Sequence, residues 1–191
     1  MNNFLSKIKF ILRKPKIIVV TGQDRAFTKE AIFKVLAPYF KVGKEILIFE
    51  VDLDSDKEAK KFKFFIKNSS LPILVATSGK EMSEISQLVQ IMSSSGFLIF
   101  NFDNEESRGL RGFKNLKNLS FGFQENADFR VSDVRVNGGV NFKINYKGNI
   151  VPIWLTDPSK EQIPGVLAAI SVGITLGLNF VEVAEALKNK K

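Results

Sequence analysis

The chain has 191 residues, of which 45% are hydrophobic and 25% are charged, and its formal net charge is +8. This size and composition are typical of one globular domain and not of a disordered segment. Cysteine and histidine are both absent, which excludes disulfides, thiol nucleophiles, Ser-His-Asp triads and zinc sites built from these residues. Any catalysis would therefore depend on carboxylates, lysines or hydroxyls.

Residues 1–15 are predicted to form a basic amphipathic segment, because apolar side chains recur there at helical spacing. The apolar residues are Phe4, Leu5, Ile8, Ile11 and Leu12. The cations of residues 1–16, among which no acid occurs, are Lys7, Lys9, Arg13, Lys14 and Lys16. Lysines interrupt the apolar core that a secretory signal needs, and no stretch of the sequence reaches the roughly 20 apolar residues of a membrane span. The sequence therefore favours a cytoplasmic protein.

Three roles stay open for residues 1–16. They fit a helix packed on its own domain with solvated lysines, a docking helix for another protein, and an anchor on an anionic surface at the inner face of the membrane. Nucleic-acid binding is disfavoured, because the other lysines are scattered among acids and no basic–aromatic platform is visible.

From residue 16 onward, short β-branched or aromatic runs alternate with segments of helical periodicity. The predicted strands are 16–20, 46–49, 71–76 and 97–100, and the predicted helices are 28–40, 59–68 and 81–92. An acidic turn is predicted after the second strand, at Asp52, Asp54 and Asp56. Asn101 and Asp103 are predicted to cap the end of the fourth strand. Alternation of strands and helices implies crossover connections and a largely parallel sheet.

The pattern changes after residue 115. Residues 119–123 fit one more strand of the main sheet, and three alternating segments follow, at 129–136, 141–146 and 150–155. Residues 137–139 and 147–149 join these segments and are typical of tight hairpin turns. Trp154 is predicted to be a core residue. Two helices, 161–176 and 180–188, close the chain, with Gly177 ending the first and Asn179 capping the second. The predicted fold is α/β: a mostly parallel sheet flanked by helices, with a small antiparallel meander.

The junction between the first strand and the next helix has the frame of a phosphate-binding loop. Such a loop needs glycines that let backbone N–H groups converge on an anion, a lysine that reaches the β- and γ-phosphates, and a Ser or Thr that holds Mg²⁺. In residues 21–30, the second glycine position is Arg25 and the lysine position is Ala26. The frame is retained, but the lysine is missing.

The order of four motifs resembles the central, ATP-binding domain of the Mur ligases, and most closely their D-alanyl-D-alanine-adding members. Residues 21–30 resemble the TGSNGKTTTKE loop of that family but are one residue shorter. Glu50 stands where the second strand of the family ends in a metal-binding Glu. Residues 98–104 match a strand end that reads VLNADD. The fourth match begins at 126–130, includes Tyr146, Lys147 and Gly148 in the meander, and leads to 166–170.

This resemblance implies a fold like that of the P-loop NTPases and a set of vestigial site residues. The implied nucleotide- or phosphate-binding residues are Thr21, Gly22, Asp24, Arg25, Thr28 and Lys29. The implied metal-binding residues are Thr28 and Glu50. No catalytic residue and no cofactor is assigned firmly, and weak binding of ATP and Mg²⁺ stays open.

The departures from the family pattern suggest lost chemistry. The family places a His and two Asn residues near the adenine, where this sequence has Glu161, Gln162 and Gly165. No lysine occurs near 84–86, where a carbamylated lysine holds the second metal of the family. The UDP-sugar-binding domain that precedes the central domain in the family, and the domain that closes over ATP, are expected to be missing. Residues 16–191 are assigned to the Mur-ligase-like central domain.

The resemblance and its departures predict a non-catalytic binding or scaffold module linked to peptidoglycan precursor metabolism. One alternative is an ATP-dependent acid–amino-acid ligase of cell-wall peptide synthesis that domains on other chains complete. A second alternative is a peripheral membrane-surface protein anchored by residues 1–16. The partner and the oligomeric state are not predicted.

Overall fold

The computed structural model describes residues 8, 10–52, 56–78, 82–113, 115–156 and 160–187. The described residues form one eight-stranded sheet with the spatial order β2-β1-β3-β4-β5-β6-β7-β8. In chain order the strands are β1 Lys16–Thr21, β2 Ile46–Glu50, β3 Pro72–Ala76, β4 Phe97–Asn101, β5 Lys117–Gly122, β6 Phe129–Val136, β7 Val140–Tyr146 and β8 Asn149–Leu155. The strands from β1 to β6 pair in parallel, and β6, β7 and β8 pair antiparallel.

Helices flank the sheet. They are α1 Arg25–Leu36, α2 Asp56–Lys67, α3 Met82–Ile91, α4 Glu105–Arg108, α5 Ile163–Thr175 and α6 Phe180–Leu187, and two 3₁₀ turns occur at Gly109–Gly112 and Lys160–Gln162. The predicted α/β class, with its parallel sheet and antiparallel meander, is confirmed. Some details differ: α1 begins three residues before the predicted start and ends four residues before the predicted end, and Asp56 opens α2 instead of lying in a turn. Asp54 lies outside the described residues.

The core has two halves, one on each face of the sheet. On one face, α5 packs closely on α1, because glycines replace side chains at the contact. A Cβ on Gly173 would lie 2.9 Å from Val35 Cγ1, and one on Gly165 would lie 2.7 Å from Phe27 Cδ1. On the other face, α2 and α3 cover the sheet, and Phe49 of β2 packs on Phe62 with ring centroids 5.4 Å apart.

The meander extends past the carboxyl ends of the main strands. The pairing of β5 with β6 is limited to Phe121 with Phe129 and Gly122 with Arg130, so most of β6 lies beyond the end of β5. The predicted turns are confirmed, with positive φ angles at Gly138 and Gly148 among others. The prediction for Trp154 was wrong: this side chain is 51% exposed, because it alternates with buried neighbours on the edge strand β8 and points outward.

Asn179 caps α6 as predicted, since its Oδ1 accepts a hydrogen bond from the N–H of Glu182 at 3.0 Å. Residues 10–13 are helical, and Phe10 packs on α2 with its ring centroid 5.0 Å from that of Phe65. Residues 1–7 and 9 of the predicted amphipathic segment lie outside the described residues. Among the helices that are described, none is long and apolar enough to cross a bilayer.

Candidate functional site

The candidate site lies at the carboxyl ends of β1, β2 and β3, which meet at one edge of the sheet because the three strands are parallel. The loop that leaves β1 turns at Gly22, whose φ of +104° favours glycine. A Cβ there would collide with Thr77 Oγ1 and would lie 2.7 Å from the backbone nitrogen of Ser78. Thr77 Oγ1 donates a hydrogen bond to the carbonyl of Thr21 at 3.0 Å. The end of β3 therefore holds the loop in place.

The loop leads directly into the N-terminus of α1. Asp24 occupies the N-cap position, but its side chain makes no capping hydrogen bond. The N–H groups in the first turn of a helix have no partner within the helix, and the helix dipole favours negative charge there. This end of α1 can therefore accept an anion through backbone groups alone.

Both cations that the sequence places at the loop have acidic partners. Arg25 Nη2 lies 2.6 Å from Asp52 Oδ2, and Arg25 Nη1 donates to the carbonyl of Gly22 at 3.2 Å. Lys29 Nζ lies 3.5 Å from Glu50 Oε2. These four side chains are between 32% and 46% exposed, so solvent screens each pair and each contributes at most about 1 kcal/mol. Their formal charges cancel.

Thr28 differs from the other polar residues of the site because it is fully buried. Its Oγ1 has no hydrogen-bond partner among the described residues. Gly165 lies beside it: a Cβ on Gly165 would be 3.0 Å from Thr28 Oγ1. A buried hydroxyl without a partner is costly, and a bound cation or phosphate would relieve that cost.

All seven predicted site residues belong to this edge of the sheet. Six lie along the β1–α1 junction, and Glu50 ends the neighbouring strand β2. They are Thr21, Gly22, Asp24, Arg25, Thr28, Lys29 and Glu50. Their roles in phosphate and metal binding stay predictions. Sequence reasoning assigned no role at the site to Asp52, although its position just beyond the end of β2 indicated proximity to the loop.

The residues present fit an anion or a metal–phosphate group only in part. The α1 N-terminus and the Thr28 hydroxyl fit it, but Ala26 supplies no ammonium group for the β- and γ-phosphates. The nearby Glu50 and Asp52 add negative charge that opposes a polyphosphate. Within the part of the chain that the structure describes, no group of three or more acidic side chains is placed to hold a metal ion. The arrangement therefore offers an anion the N-terminus of α1, while Arg25 and Lys29 are each paired with an acid.

The other polar residues of the matched motifs tie strands together. Asn101 Oδ1 accepts a hydrogen bond from the N–H of Asp103 at 3.0 Å, which confirms the predicted cap. The Asp103 carboxylate in turn accepts from the N–H of Phe123 at 2.9 Å. Asp128 Oδ2 accepts from the hydroxyl of Ser120 at 2.6 Å and so joins β5 to the start of β6. These contacts explain the polar residues without a ligand.

Comparison with known proteins gives relatives by sequence, although no family model matches the chain. It is 34% identical over 180 residues to UDP-N-acetylmuramate–L-alanine ligase of Sulfurihydrogenibium sp. (strain YO3AOP1), a match that covers 91% of this chain and 37% of the relative. The enzyme of the same name from Persephonella marina is 35% identical over 97 residues, covering 50% of this chain and 20% of the relative. The chain therefore spans well under half the length of these relatives.

Solved structures share the fold. MurF from Acinetobacter baumannii superposes with a TM-score of 0.80 at 12% identity, over 97% of this chain and 47% of the other. MurF from Thermotoga maritima, solved in complex with ADP, gives 0.76 at 16% identity, over 98% and 52%. MurC from Thermotoga maritima gives 0.70 at 15% identity, over 97% and 47%. By sequence and by fold, this chain belongs to the Mur ligase family and has the architecture of its central domain.

Proposed function

We propose that this chain is a non-catalytic binding or scaffold module of the Mur ligase family, with a degenerate ATP site, that acts in peptidoglycan precursor metabolism. The observation that carries the proposal is the charge balance at the loop. Ala26 stands at the lysine position, and Arg25 and Lys29 are paired with Asp52 and Glu50. The named activity of the sequence relatives, ligation of UDP-N-acetylmuramate and L-alanine, supports the metabolic setting. A cytoplasmic location is part of the same proposal.

The physical argument concerns the γ-phosphate. A ligase that activates a carboxylate as an acyl phosphate must neutralise the charge that spreads over the transferred phosphoryl group. One preorganised donor is typically worth about 10²–10³ in rate. A loop without its lysine, whose two cations are each paired with an acid, offers little of this stabilisation.

Calorimetric titration of the 191-residue chain with Mg·ATP tests the proposal. We expect no binding at micromolar concentration and no hydrolysis. Arg25→Ala is the matched control, because removing a guanidinium that is already paired with Asp52 should leave the titration unchanged. Micromolar affinity, or ATP consumption by the purified chain, would overturn the assignment as a non-catalytic module.

A second candidate function is an ATP-dependent acid–amino-acid ligase completed by domains on other chains. The buried hydroxyl of Thr28 favours it, because this atom has no partner among the described residues and stands where a Mg²⁺ ligand is expected. Thr28→Val removes the hydroxyl and keeps the shape of the side chain. If Mg·ATP binds the wild-type chain and not Thr28→Val, the ligase interpretation is supported; if neither binds, it is contradicted for the chain alone.

A further inference from the structure

The opposite edge of the sheet carries a basic cleft that the family assignment does not explain. It is a depression of about 490 Å³ between the end of the helical residues 10–13 and the turn before β2. Its lining consists of Arg13, Lys14, Pro15, Lys16, Lys41, Lys44, Glu45 and Ser70. Five of these eight residues are cations and one is an acid. The basic cleft is therefore strongly positive.

The cations of the basic cleft are not neutralised in the way that Arg25 and Lys29 are. Within the described ranges, the ion pairs of the chain involve other cations. The single acid, Glu45, turns its carboxylate toward the backbone N–H of Lys41, at 3.4 Å. Arg13, Lys14, Lys41 and Lys44 are exposed. Their charge is therefore available to an external anion.

An apolar face lies beside this charge. Ile8, Ile11 and Leu12 are spaced by three and four residues, so they share one face of a helical turn, and they are 37%, 41% and 78% exposed. Phe10 does not share this exposure, since its ring packs on Phe64 and Phe65 of α2. Phe10 thus attaches the segment to the domain while the face of Ile8, Ile11 and Leu12 is turned to solvent.

We propose that this face and the basic cleft together dock on an anionic lipid bilayer. Helices that lie in the interface of a bilayer bury an apolar face at the boundary of headgroups and acyl chains and place Lys and Arg against the headgroups. Here the exposed Leu12 is followed directly in the chain by Arg13 and Lys14 of the basic cleft, so apolar and cationic side chains are neighbours on the surface. A polyanion such as a nucleic acid would also bind the cations of the basic cleft. It would make no use of Leu12, which is the most exposed of the three aliphatic residues.

The docked orientation follows from the topology. The basic cleft lies where β1 and β2 begin, and the loop after Thr21 lies where β1 ends, so the two sites face opposite ways. A strand of six residues spans roughly 20 Å. Docking would therefore leave the loop after Thr21 and the meander directed away from the bilayer. This inference does not depend on whether that loop binds a nucleotide.

Co-sedimentation of the 191-residue chain with lipid vesicles tests the proposal. We expect binding to vesicles of equimolar phosphatidylglycerol and phosphatidylcholine, no binding to pure phosphatidylcholine, and a loss of binding as salt is raised. The double variant Lys41→Ala/Lys44→Ala should bind the mixed vesicles about 25-fold more weakly, since each lysine near an anionic surface contributes about fivefold. Equal binding to both kinds of vesicle would overturn the proposal.

The matched control is Arg135→Ala/Lys147→Asn, which removes the same net charge from the meander, outside the lining of the basic cleft. It should bind like the wild type; a 25-fold loss there would show that net charge alone is being measured and would overturn the assignment of a docking surface.

The variant Leu12→Ser distinguishes binding to a bilayer from binding to a soluble polyanion, because only a bilayer uses the aliphatic side chain. If Leu12→Ser binds the mixed vesicles as the wild type does, or if inorganic phosphate displaces the chain at equal ionic strength, the bilayer is the wrong partner. Thermal unfolding of each variant verifies that it is folded.

Discussion

At the carboxyl ends of β1 and β2, Arg25 and Lys29 each have an acidic partner, whereas at the amino ends of the same strands the cations around the basic cleft have none among the described residues. Because β1 and β2 are parallel, their carboxyl ends lie at one edge of the sheet and their amino ends at the opposite edge. At the carboxyl edge, the two ion pairs leave no net positive charge beside the N-terminus of α1. The comparison shows that two ends of the same parallel strands can differ in electrostatics, so that function must be argued from the side chains.

We expect the backbone to be more tightly constrained at the carboxyl edge than at the amino edge, and substitutions of one glycine at each edge test this difference. Gly22 and Gly43 both have positive φ angles, +104° and +91°, but an added Cβ on Gly22 would strike Thr77 and the backbone of Ser78, whereas one on Gly43 would meet nothing within 4 Å. We expect Gly22→Ala to lower the free energy of unfolding by about 3 kcal/mol or more, through backbone strain and collision together.

Gly43→Ala is the matched control and should cost about 1 kcal/mol, since it suffers only the left-handed strain. Urea denaturation of the two variants measures both values. Equal losses would mean that the loop at the carboxyl edge is free to move away from β3, which would contradict the conclusion that the end of β3 holds it in place.

The second prediction concerns the hydroxyl of Thr28. If no ligand is bound in the purified chain, this buried group without a described partner lowers stability, so Thr28→Val should raise the free energy of unfolding by about 1 kcal/mol. Thr28→Ser keeps the hydroxyl and should give no gain. A loss of stability in Thr28→Val would show that the hydroxyl has a partner in solution, such as an ordered water molecule.

Smaller effects are expected for the ion pair of Arg25 and Asp52. Their side chains are 32% and 46% exposed, so a double-mutant cycle with Arg25→Ala and Asp52→Ala should give a coupling energy below about 1 kcal/mol, and salt should reduce it. A coupling above about 2 kcal/mol would indicate a pair that is locked in place, and would strengthen the view that this pair excludes a nucleotide instead of merely balancing its charge.

The sequence predicted most of the fold, because buried strands and apolar helical faces have periodic patterns of their own. It misplaced the start of α1, because Arg25, Ala26 and Phe27 precede the apolar periodicity that begins at Ile32. It missed α4, whose four residues are too few to show a period. The sequence also predicted that the seven site residues lie close together, since six belong to one strand–helix junction and the seventh ends a neighbouring strand.

The sequence could not predict the contacts between distant side chains. Arg25 and Asp52 are 27 positions apart, and although strand ends place both near the loop, their sequence patterns do not show that the two side chains meet. The basic cleft is an intermediate case. Lys41 and Lys44 precede β2, and Lys16 begins β1, so the parallel pairing of these strands was enough to bring the three cations to one edge. Predicting this cluster of cations would have required the order of the strands in the sheet, which composition and periodicity do not give.

The smallest effect is expected for the ion pair of Lys143 and Asp133. It tests whether charge pairing in this half of the molecule extends beyond the loop between β1 and α1. In the meander, Lys143 Nζ lies 2.7 Å from Asp133 Oδ2, and the hydrogen bond and charge of Lys143 lower the pKa of Asp133 below its usual value. A carboxyl group with a lowered pKa in the folded state stabilises the fold above its unfolded pKa, and this contribution disappears as the pH falls through the folded pKa.

The difference in unfolding free energy between the wild type and Asp133→Asn should therefore be constant at neutral pH and shrink in acid, below about pH 4. Asparagine tolerates the positive φ of 54° at this position, so the variant changes the charge without adding backbone strain. Lys143→Met is the control, and it should remove the pH-dependent part of the difference. A difference that stays constant as the pH falls below about 4 would mean that the pair is absent in solution. Lys143 would then lack an acidic partner, as the cations of the basic cleft do, and the paired cations near the carboxyl ends of β1 and β2 would be Arg25 and Lys29.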